Sequence, residues 1–504
     1  SQIGSFLISF ILGHPPHTHH SSFLMPSKVL KNGTVITFDD ATKSVRVLPR
    51  ASILVVNDRI TAITENADDL SVPSDAEIIN VEGKIVSPGF VNTHVHMWQS
   101  VFRTLAPDIV FAQYFDWLSQ MSSTATKPFT PEIMYVSCLE GYLEGLNAGV
   151  TSYVDHAHNN WNREVVKPGY EAAVDSGARV WWCYDVTTNN EKFPEMEQWK
   201  VLGSIAEEPA PSRVQLGLSL DGLAGEFLTN TEIHLNNLRN ATKKMNLTAI
   251  TMHHMAGPWP QLNTSPSLIT SQNIHTTNIP IIFSHAPFLT AGDISALNRH
   301  NLFVSITPES ECHYGHGQTT GHLISPQASL GVDTVFTFSG DMLSQARLWL
   351  QTVRNTNYRK TLDAGLLPNK TPMKVEQAFL LATRQGGLAL RRPDIGVLQV
   401  GAKADIVVFD GSAPNMLGWS DPVAAVILHA NPGDIQHVLV DGQFRKRDFK
   451  LIGEGVKWVW DDVKAQFIEA ARKIQPLVKT PAPLPERLWG IGEMGDVDIA
   501  STVL

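Results

Sequence analysis

Residues 88–99 read Pro-Gly-Phe-Val-Asn-Thr-His-Val-His-Met-Trp-Gln, and the rest of the chain is arranged around them. They follow the β-branched run Lys84-Ile85-Val86, so the pattern predicts a short strand that ends in His-x-His. Because alternate residues of a strand point to the same face, His94 and His96 project together, as two ligands of one metal ion must. A bare His-x-His is more often a pair of ordinary loop histidines. The metal interpretation therefore depends on further ligands after later strands.

The composition is that of a large folded protein. Of the 504 residues 43% are hydrophobic and 17% charged, which leaves ample apolar material for a core. The net charge is −10 and there is no long basic block; Arg445-Lys446-Arg447 follows a predicted Asp441-Gly442 turn and is expected to form a solvated hairpin. Nucleic acid and membranes are therefore not expected partners. We expect a small-molecule substrate and a homo-oligomer.

The three cysteines, Cys138, Cys183 and Cys312, are far apart and form no Cys-x-x-Cys motif. Their number and spacing argue against a disulfide framework, a zinc ribbon and the cysteine-ligated zinc deaminases. A reducing compartment fits best, and we expect the protein to be cytoplasmic.

Residues 1–24 differ from the rest and are interpreted as an extension of uncertain origin. Their apolar run at 3–12 is too short to span a bilayer, lacks a basic leader and precedes a His-rich tract at 14–20. A divergent signal peptide is the alternative interpretation. Met25 resembles a natural start.

The central part of the chain predicts a (β/α)8 TIM-type barrel over residues 87–392. Apolar runs alternate there with helical stretches, which is typical of a parallel sheet. The predicted strands are 85–93, 149–155, 178–185, 213–220, 247–252, 279–284, 301–306 and 328–332. Eight such units are the number that closes a barrel, whose chemistry lies at the C-terminal ends of its strands.

Short strand-like runs flank the barrel on both sides. Residues 25–86 and 393–450 are each too small to bury a core alone, so we expect them to pair into one β-sandwich that the barrel interrupts. Residues 451–504 predict an amphipathic C-terminal helix at 456–474 and a Pro-rich arm at 476–485, which we expect to lie on a neighbouring subunit.

Polar residues recur where the predicted strands end. They are His156 and His158 after the second strand, His253 and His254 after the fifth, His285 after the sixth and Asp333 after the eighth. Each alone is more often an ordinary polar residue at a strand end. Together, at the catalytic end of one barrel, they indicate a metal site.

With the motifs Leu-Gly-Val-Asp at 330–333 and Gly-Ala-Lys-Ala-Asp-Ile-Val-Val at 401–408, the chain resembles the amidohydrolase superfamily over roughly residues 28–450. It is most similar to the cytosine/guanine-deaminase-like and chlorohydrolase-like branch. The resemblance implies the barrel, the sandwich built from both chain ends, and one divalent metal ion held by His94, His96, His253 and Asp333. Zinc is the expected ion and iron the alternative.

Two of these ligands have a competitor next to them or nearby. His254 competes with His253, which is preferred because the strand run ends at Met252. Asp341 competes with Asp333, which matches the family's Leu-Gly-x-Asp, whereas Asp341 resembles a helix cap. The fourth strand carries no lysine of the kind that bridges two ions in binuclear members, which favours one metal.

The resemblance implies a mechanism in which metal coordination lowers the pKa of a water to about 7. Asp333 would take the water's proton and His285 would orient the resulting hydroxide. The expected activity is hydrolysis of a non-peptide C–N bond in a small cyclic, heteroaromatic or amidine-like metabolite. The alternatives are a lyase or cyclase of specialised metabolism and a non-catalytic scaffold. Predicted substrate contacts, for which ordinary packing is an open alternative, are Trp98, Gln99, His158, Trp259 and His316.

One departure from the family is serious. Deaminases of this branch carry His-x-x-Glu after the fifth strand, and the glutamate protonates the leaving nitrogen; here the register places Ala256 at that position. Glu311, after the seventh strand and near His313 and His316, is our candidate for the missing proton donor. The alternative is that Glu311 caps a loop.

Overall fold

The computed structural model describes residues 27–223, 230–260, 264–317 and 325–500. The extension at 1–24, its His-rich tract and the proposed start at Met25 lie outside the described residues.

Eight parallel strands form the predicted barrel, in sequence order around the ring. They are β6 (Phe90–Val95), β7 (Val150–Ala157), β8 (Arg179–Asp185), β9 (Val214–Ser219), β10 (Ile250–His254), β11 (Ile281–His285), β12 (Phe303–Ile306) and β13 (Ala328–Leu330). The ring closes where the His96 amide donates to the Asp333 carbonyl (2.9 Å) and the Asp333 amide donates to the His94 carbonyl (2.9 Å). The predicted barrel is confirmed.

The first predicted strand, 85–93, is two strands in two different sheets. β5 (Ile85–Pro88) pairs outside the barrel, and β6 begins after Gly89. A Cβ on Gly89 would lie 2.0 Å from Thr151 Oγ1, so only glycine lets the chain pass this close to β7. The apolar run of the sequence hides this change of sheet because both strands are buried.

The second sheet has nine strands and comes from both chain ends, as predicted. The N-terminal part supplies β1 (Lys28–Asp39), β2 (Ser44–Val56), β3 (Arg59–Thr64), β4 (Glu77–Asn80) and β5; the C-terminal part supplies β14 (Ile406–Phe409), β15 (Ile435–Val440), β16 (Gln443–Arg447) and β17 (Lys450–Leu451). The two parts meet where β5 pairs antiparallel with β14. Aliphatic side chains from both parts, such as Val35, Val86 and Val408, form one core.

Helices cover the barrel between its strands. The described α-helices are Phe111–Trp117, Ser123–Thr126, Pro131–Asn147, Val166–Ser176, Glu195–Glu207, Thr231–Met245, Pro266–Ser271, Ala291–His300, Pro308–Tyr314, Met342–Asp363, Val375–Ala382, Arg384–Ala389, Pro422–Ala424 and Trp460–Val478. Shorter 3₁₀ turns include Met97–Phe102 and Asp221–Leu223. Asp341 caps the helix Met342–Asp363 by accepting from the Ser344 amide (2.7 Å), the role that the sequence suggested for it.

The basic run 445–447 is not the solvated hairpin that we expected. The turn at Asp441-Gly442 is present, with positive φ at both residues, but Arg445 is 0% and Lys446 2% exposed. Arg445 Nε donates to the Gly177 carbonyl (2.9 Å), and Lys446 Nζ donates to the Asn147 carbonyl (2.9 Å). Both cations are buried because they donate to backbone carbonyls of the helical layer around the barrel, where that layer meets the nine-stranded sheet.

The C-terminal arm lies on its own barrel, and contact with a neighbouring subunit stays a prediction. Trp117 Nε1 donates to the Val478 carbonyl (2.5 Å), and Gln113 Nε2 donates to the Ala482 carbonyl (3.1 Å). The arm then forms a small hairpin, β18 (Arg487–Leu488) and β19 (Gly492–Glu493), which brings Trp489 to within 4.6 Å of Phe115, ring to ring. Trp489 of the C-terminal arm therefore reaches the C-terminal ends of the barrel strands.

In the part of the chain that the structure describes, no helix combines the length and the apolar character needed to cross a membrane.

Candidate active site and metal centre

A cavity of about 620 Å³ opens at the C-terminal ends of the barrel strands. This is the end at which barrel enzymes place their chemistry, and the volume suits a small molecule. Its walls include His96, His253, His285 and Asp333, together with aromatic side chains such as Phe111 and Trp161.

Asp333 is the centre of the predicted ligand set. Its Oδ1 lies 3.2 Å from Nε2 of His94 and 3.2 Å from Nε2 of His96. Ser310 Oγ donates to the other oxygen, Oδ2 (2.5 Å). The hydrogen bond from Ser310 therefore fixes the orientation of the carboxylate.

Hydrogen bonds to their Nδ1 atoms set the direction of both rings. His94 Nδ1 pairs with Ser284 Oγ (2.8 Å), and His96 Nδ1 donates to the His156 carbonyl (2.8 Å). With Nδ1 occupied, each ring presents Nε2 to Asp333. Burial lowers the pKa of His94 to about 3, so its imidazole is neutral.

The fifth strand brings His253, not His254, to the site. A nitrogen of His253 lies within 4.8 Å of ligand atoms of His94, His285 and Asp333, and its Nδ1 contacts Asp221 Oδ2 (2.5 Å). His254 points away: its side chain is buried and neither ring nitrogen has a hydrogen-bond partner in the described structure. Burial lowers the pKa of His254 to about 4.

These residues fit a divalent metal ion. Nε2 of His94 is buried and has no hydrogen-bond partner within the described ranges, although it faces a carboxylate oxygen. The lone pair of His96 Nε2 faces the same oxygen, since its Nδ1 carries the proton. Acceptors that converge in this way repel each other unless a cation lies between them. Imidazoles with one carboxylate suit zinc or iron(II).

His285 has a ring nitrogen within 4.8 Å of ligand atoms of His94, His253 and Asp333, and its backbone is strained. It lines the cavity, and its φ is 72°, in the left-handed region; Asp333 has φ 74°. Non-glycine residues are uncommon there and concentrate at functional sites. His285 Nδ1 pairs with Thr307 Oγ1 (2.7 Å), so its other nitrogen is available to the cavity. Burial lowers the pKa of His285 well below its usual value, so the ring is neutral.

Glu311 lies behind His285 and not in the cavity wall. Its Oε1 accepts from the Thr307 amide (3.0 Å) and lies 4.0 Å from His285 Nδ1. It is 3% exposed, and burial raises its pKa to about 8. The helix Pro308–Tyr314 turns it inward, so the structure does not place Glu311 where it could touch a leaving group directly.

Of the five predicted substrate contacts, only His158 lines the cavity. Trp98 stands behind it and donates from Nε1 to His158 Nδ1 (2.7 Å). Gln99 donates to Tyr114 Oη (2.9 Å) from within the barrel layer. Trp259 donates to the His316 carbonyl (2.8 Å), and His316 is fully buried with its ring 4.6 Å from that of His285. Trp98 and Gln99 are turned inward because the chain forms a 3₁₀ turn directly after His96.

Sequence reasoning overlooked two acidic residues of the cavity wall. Asp185 ends β8 and Asp221 follows β9. The signal that found the histidines, a polar residue at the end of a barrel strand, applies equally to both. Three aromatic wall residues come from a short helix, a loop and the distant C-terminal arm, and no local pattern marks them: Tyr114, Trp161 and Trp489.

Comparison with known proteins agrees with this geometry. A model of the amidohydrolase family matches residues 85–445, and the chain belongs to this family. The 5-methylthioadenosine/S-adenosylhomocysteine deaminase of Thermococcus kodakarensis is 25% identical over 440 residues, which cover 83% of this chain and 93% of that protein.

Two solved structures show the same fold. A triazine hydrolase from Arthrobacter aurescens has a TM-score of 0.74 at 19% identity and covers 89% of this chain and 100% of its own. A zinc-bound adenosine deaminase from Xanthomonas campestris has a TM-score of 0.71 at 16% identity and covers 89% of this chain and 98% of its own. The predicted resemblance is confirmed, and the chain is an amidohydrolase-type hydrolase, which favours that hypothesis over a lyase or a scaffold.

Proposed function

We propose that this protein hydrolyses a C–N bond, other than a peptide bond, in a small heteroaromatic or amidine-like molecule. The convergence of His94, His96 and Asp333 on one point beside the cavity carries the proposal. One divalent ion, with zinc expected and iron as the alternative, would be held by His94, His96, His253 and Asp333. When bound, such an ion lowers the pKa of a coordinated water to about 7 and so makes a nucleophile available.

The chain's own residues would then handle the protons. Asp333 accepts the proton of the attacking water at Oδ2, whose orientation Ser310 fixes. His285 presents its free ring nitrogen to the cavity, orients the nucleophile and stabilises the oxyanion that develops on the substrate. Since residue 256 is alanine, we assign protonation of the leaving nitrogen to Asp333 and His285, which both line the cavity.

Glu311 takes a different role from the one that the sequence suggested. At neutral pH its carboxyl keeps its proton, and Thr307 lies between Glu311 and His285. When the carboxyl is ionised, Thr307 Oγ1 donates to Glu311 Oε1 (3.4 Å). When Glu311 holds its proton, the carboxyl can donate to Thr307 instead, which leaves the Thr307 hydroxyl to donate to His285 Nδ1 and keeps the Nε2–H tautomer facing the cavity. We propose Glu311 as a positioning residue for His285.

The relatives suggest where to look for the substrate. The Thermococcus protein is named for 5-methylthioadenosine and S-adenosylhomocysteine, and the Arthrobacter protein for triazines. A screen of zinc-loaded protein should therefore include 5-methylthioadenosine, aminotriazines, aminopyrimidines and aryl amidines, with amine release as the readout. We further expect a homo-oligomer in the cytoplasm.

Turnover in ¹⁸O-water tests the reaction class. Hydrolysis places the label in the product, whereas product without label would identify a lyase. His285→Asn should keep the metal and reduce turnover by about 10²–10⁴-fold, as the loss of an acid–base group does. Loss of the metal in that variant would show that His285 is itself a ligand.

A further inference from the structure

The charged side chains that line the cavity are all acidic. They are Asp185, Asp221 and Asp333. All 39 lysines and arginines of the chain lie within the described residues, and none of them lines the cavity. A carboxylate or phosphate on a substrate would therefore find no cationic side chain in the wall.

Two of the three carboxylates already have histidine partners. Asp333 faces His94 and His96, and Asp221 Oδ2 contacts His253 Nδ1 (2.5 Å) and His156 Nε2 (3.3 Å). These contacts orient the proposed metal ligands, so neither carboxylate is free for a substrate group.

Asp185 is different because its partners are neutral. Its Oδ1 accepts from the Gly222 amide (3.2 Å) and its Oδ2 from Asn160 Nδ2 (3.1 Å), and no lysine or arginine pairs with it in the described structure. Asp185 is 4% exposed, and burial, with Asp221 nearby, raises its pKa to about 7. A buried carboxylate with no cation is costly, and a cationic ligand would remove that cost.

The remaining walls suit a flat cation. Phe111, Phe115, Trp161, Tyr314 and Trp489 line the cavity, and aromatic faces attract cations as well as stacking on planar rings. Asp185 ends the third barrel strand and Asp333 follows the eighth; because the ring closes between the eighth strand and the first, two strands separate them, and the two carboxylates reach the cavity from different sides.

We propose that the substrate is a planar cation: a protonated aminoheterocycle or amidinium that lies against these aromatic rings, binds Asp185 through its N–H groups, and carries no carboxylate or phosphate. This inference rests on the proposed function and adds the substrate's charge to it. The reacting carbon would lie at the Asp333 side and the cationic group at the Asp185 side.

Benzamidine and benzamide test the inference, since they share size and shape and differ in charge. Their affinities for zinc-loaded protein are measured by calorimetry, for the wild type, Asp185→Asn and Asp116→Asn. Asp116 is an exposed aspartate on the helix Phe111–Trp117, outside the cavity wall, and serves as the matched control. We expect benzamidine to bind the wild type and Asp116→Asn about tenfold more tightly than benzamide, and this preference to fall below about threefold in Asp185→Asn.

Equal affinities in the wild type, or a preference that survives in Asp185→Asn, would overturn the inference. A preference lost equally in Asp116→Asn would overturn it as well, since it would then come from overall charge. The outcome is separate from that of the proposed function. Hydrolysis of a neutral substrate without cation preference refutes the inference alone, whereas cation preference without hydrolysis of any C–N substrate refutes the proposed reaction.

Discussion

Asp221 holds His253 by two contacts, one to its backbone and one to its ring. The His253 amide donates to Asp221 Oδ1 (2.9 Å), and His253 Nδ1 lies 2.5 Å from Asp221 Oδ2. The residue that follows the fourth strand thus fixes both the position and the tautomer of the residue on the fifth. With Nδ1–H directed to the carboxylate, His253 Nε2 keeps its lone pair for a metal.

Asp221→Asn should therefore weaken metal binding without abolishing it. An amide is a weaker acceptor than a carboxylate, and loss of such a supporting group typically costs about 10–100-fold in metal affinity. Competition with a chromogenic zinc chelator measures the change. Asp341→Asn is the control: asparagine caps a helix about as well as aspartate, so both stability and zinc affinity should stay close to those of the wild type. Unchanged zinc affinity in Asp221→Asn would refute the orienting role.

His253→Ala and His254→Ala should separate the adjacent histidines. We expect elemental analysis to find one zinc per chain in the wild type, started at Met25 to exclude the His-rich tract. His253→Ala should lose the ion. His254→Ala should keep it while lowering the thermal midpoint, because it opens a small cavity in a buried site. Two ions per chain, or loss of zinc in His254→Ala, would contradict the assignment.

Glu311→Gln and Glu311→Leu should differ if Glu311 positions His285. Glutamine can still donate toward Thr307, so it should retain most of the activity, whereas leucine should lose about 10–100-fold. Because the pKa of Glu311 is raised to about 8, wild-type kcat should fall above that pH, and the fall should be absent in Glu311→Gln. If Glu311 were a direct proton donor, the glutamine variant would be as inactive as the leucine variant at every pH.

The stability of Asp185→Asn should depend on pH differently from that of the wild type. Burial raises the pKa of Asp185 from 3.8 to about 7, so the folded chain holds this proton more tightly than the unfolded chain. Ionisation of Asp185 consequently lowers the free energy of unfolding as pH rises through this range, and the full loss is present above about pH 7. Between pH 5 and pH 8, the free energy of unfolding of Asp185→Asn should therefore rise by about 1–3 kcal/mol relative to that of the wild type. Urea denaturation of both proteins at matched pH values measures this difference in the free energy of unfolding. A difference that does not change with pH would refute the prediction.

Trp489→Ala should change substrate binding more than chemistry. Trp489 lines the cavity but belongs to the C-terminal arm, outside the barrel that carries Asp333 and His285. Once a substrate is found, we expect KM to rise about tenfold and kcat to change little, the pattern of a lost binding contact. Ile491→Ala, two residues along and 58% exposed, should change neither constant. A large fall in kcat for Trp489→Ala would mean that the arm also shapes the reacting end.

The features that could be predicted from the sequence are those that recur along it, namely the barrel strands and the polar residues at their ends. Eight apolar runs marked the barrel strands, and polar residues at their ends marked His94, His96, His253, His285 and Asp333. These signals are local, and barrel topology alone brings them together. The break between β5 and β6 at Gly89 was not predicted, because two buried strands of different sheets form one continuous apolar run in the sequence.

Features that depend on distant contacts could not be predicted in the same way. Arg445 is buried because its partner is a carbonyl at residue 177, and Trp489 reaches the cavity because the arm packs on Phe115. Glu311 follows a strand end, as an active-site residue should, but one turn of helix directs it behind His285. Neither the residue type nor its position in the chain indicates the direction in which this helical turn points the Glu311 side chain.

The pairing of β5 with β14 has a consequence for synthesis of the chain. Pro88 pairs with Ile406, so the barrel segment between them must be synthesised before β14, the partner of β5, exists. At about 5–20 residues per second, the ribosome needs roughly 15–60 s to make the intervening segment. Throughout that time β5 has an open edge, which in other sheets is a site of aggregation. A nascent chain stalled before residue 406 should therefore depend on a chaperone to stay unaggregated, even if its barrel strands have begun to form.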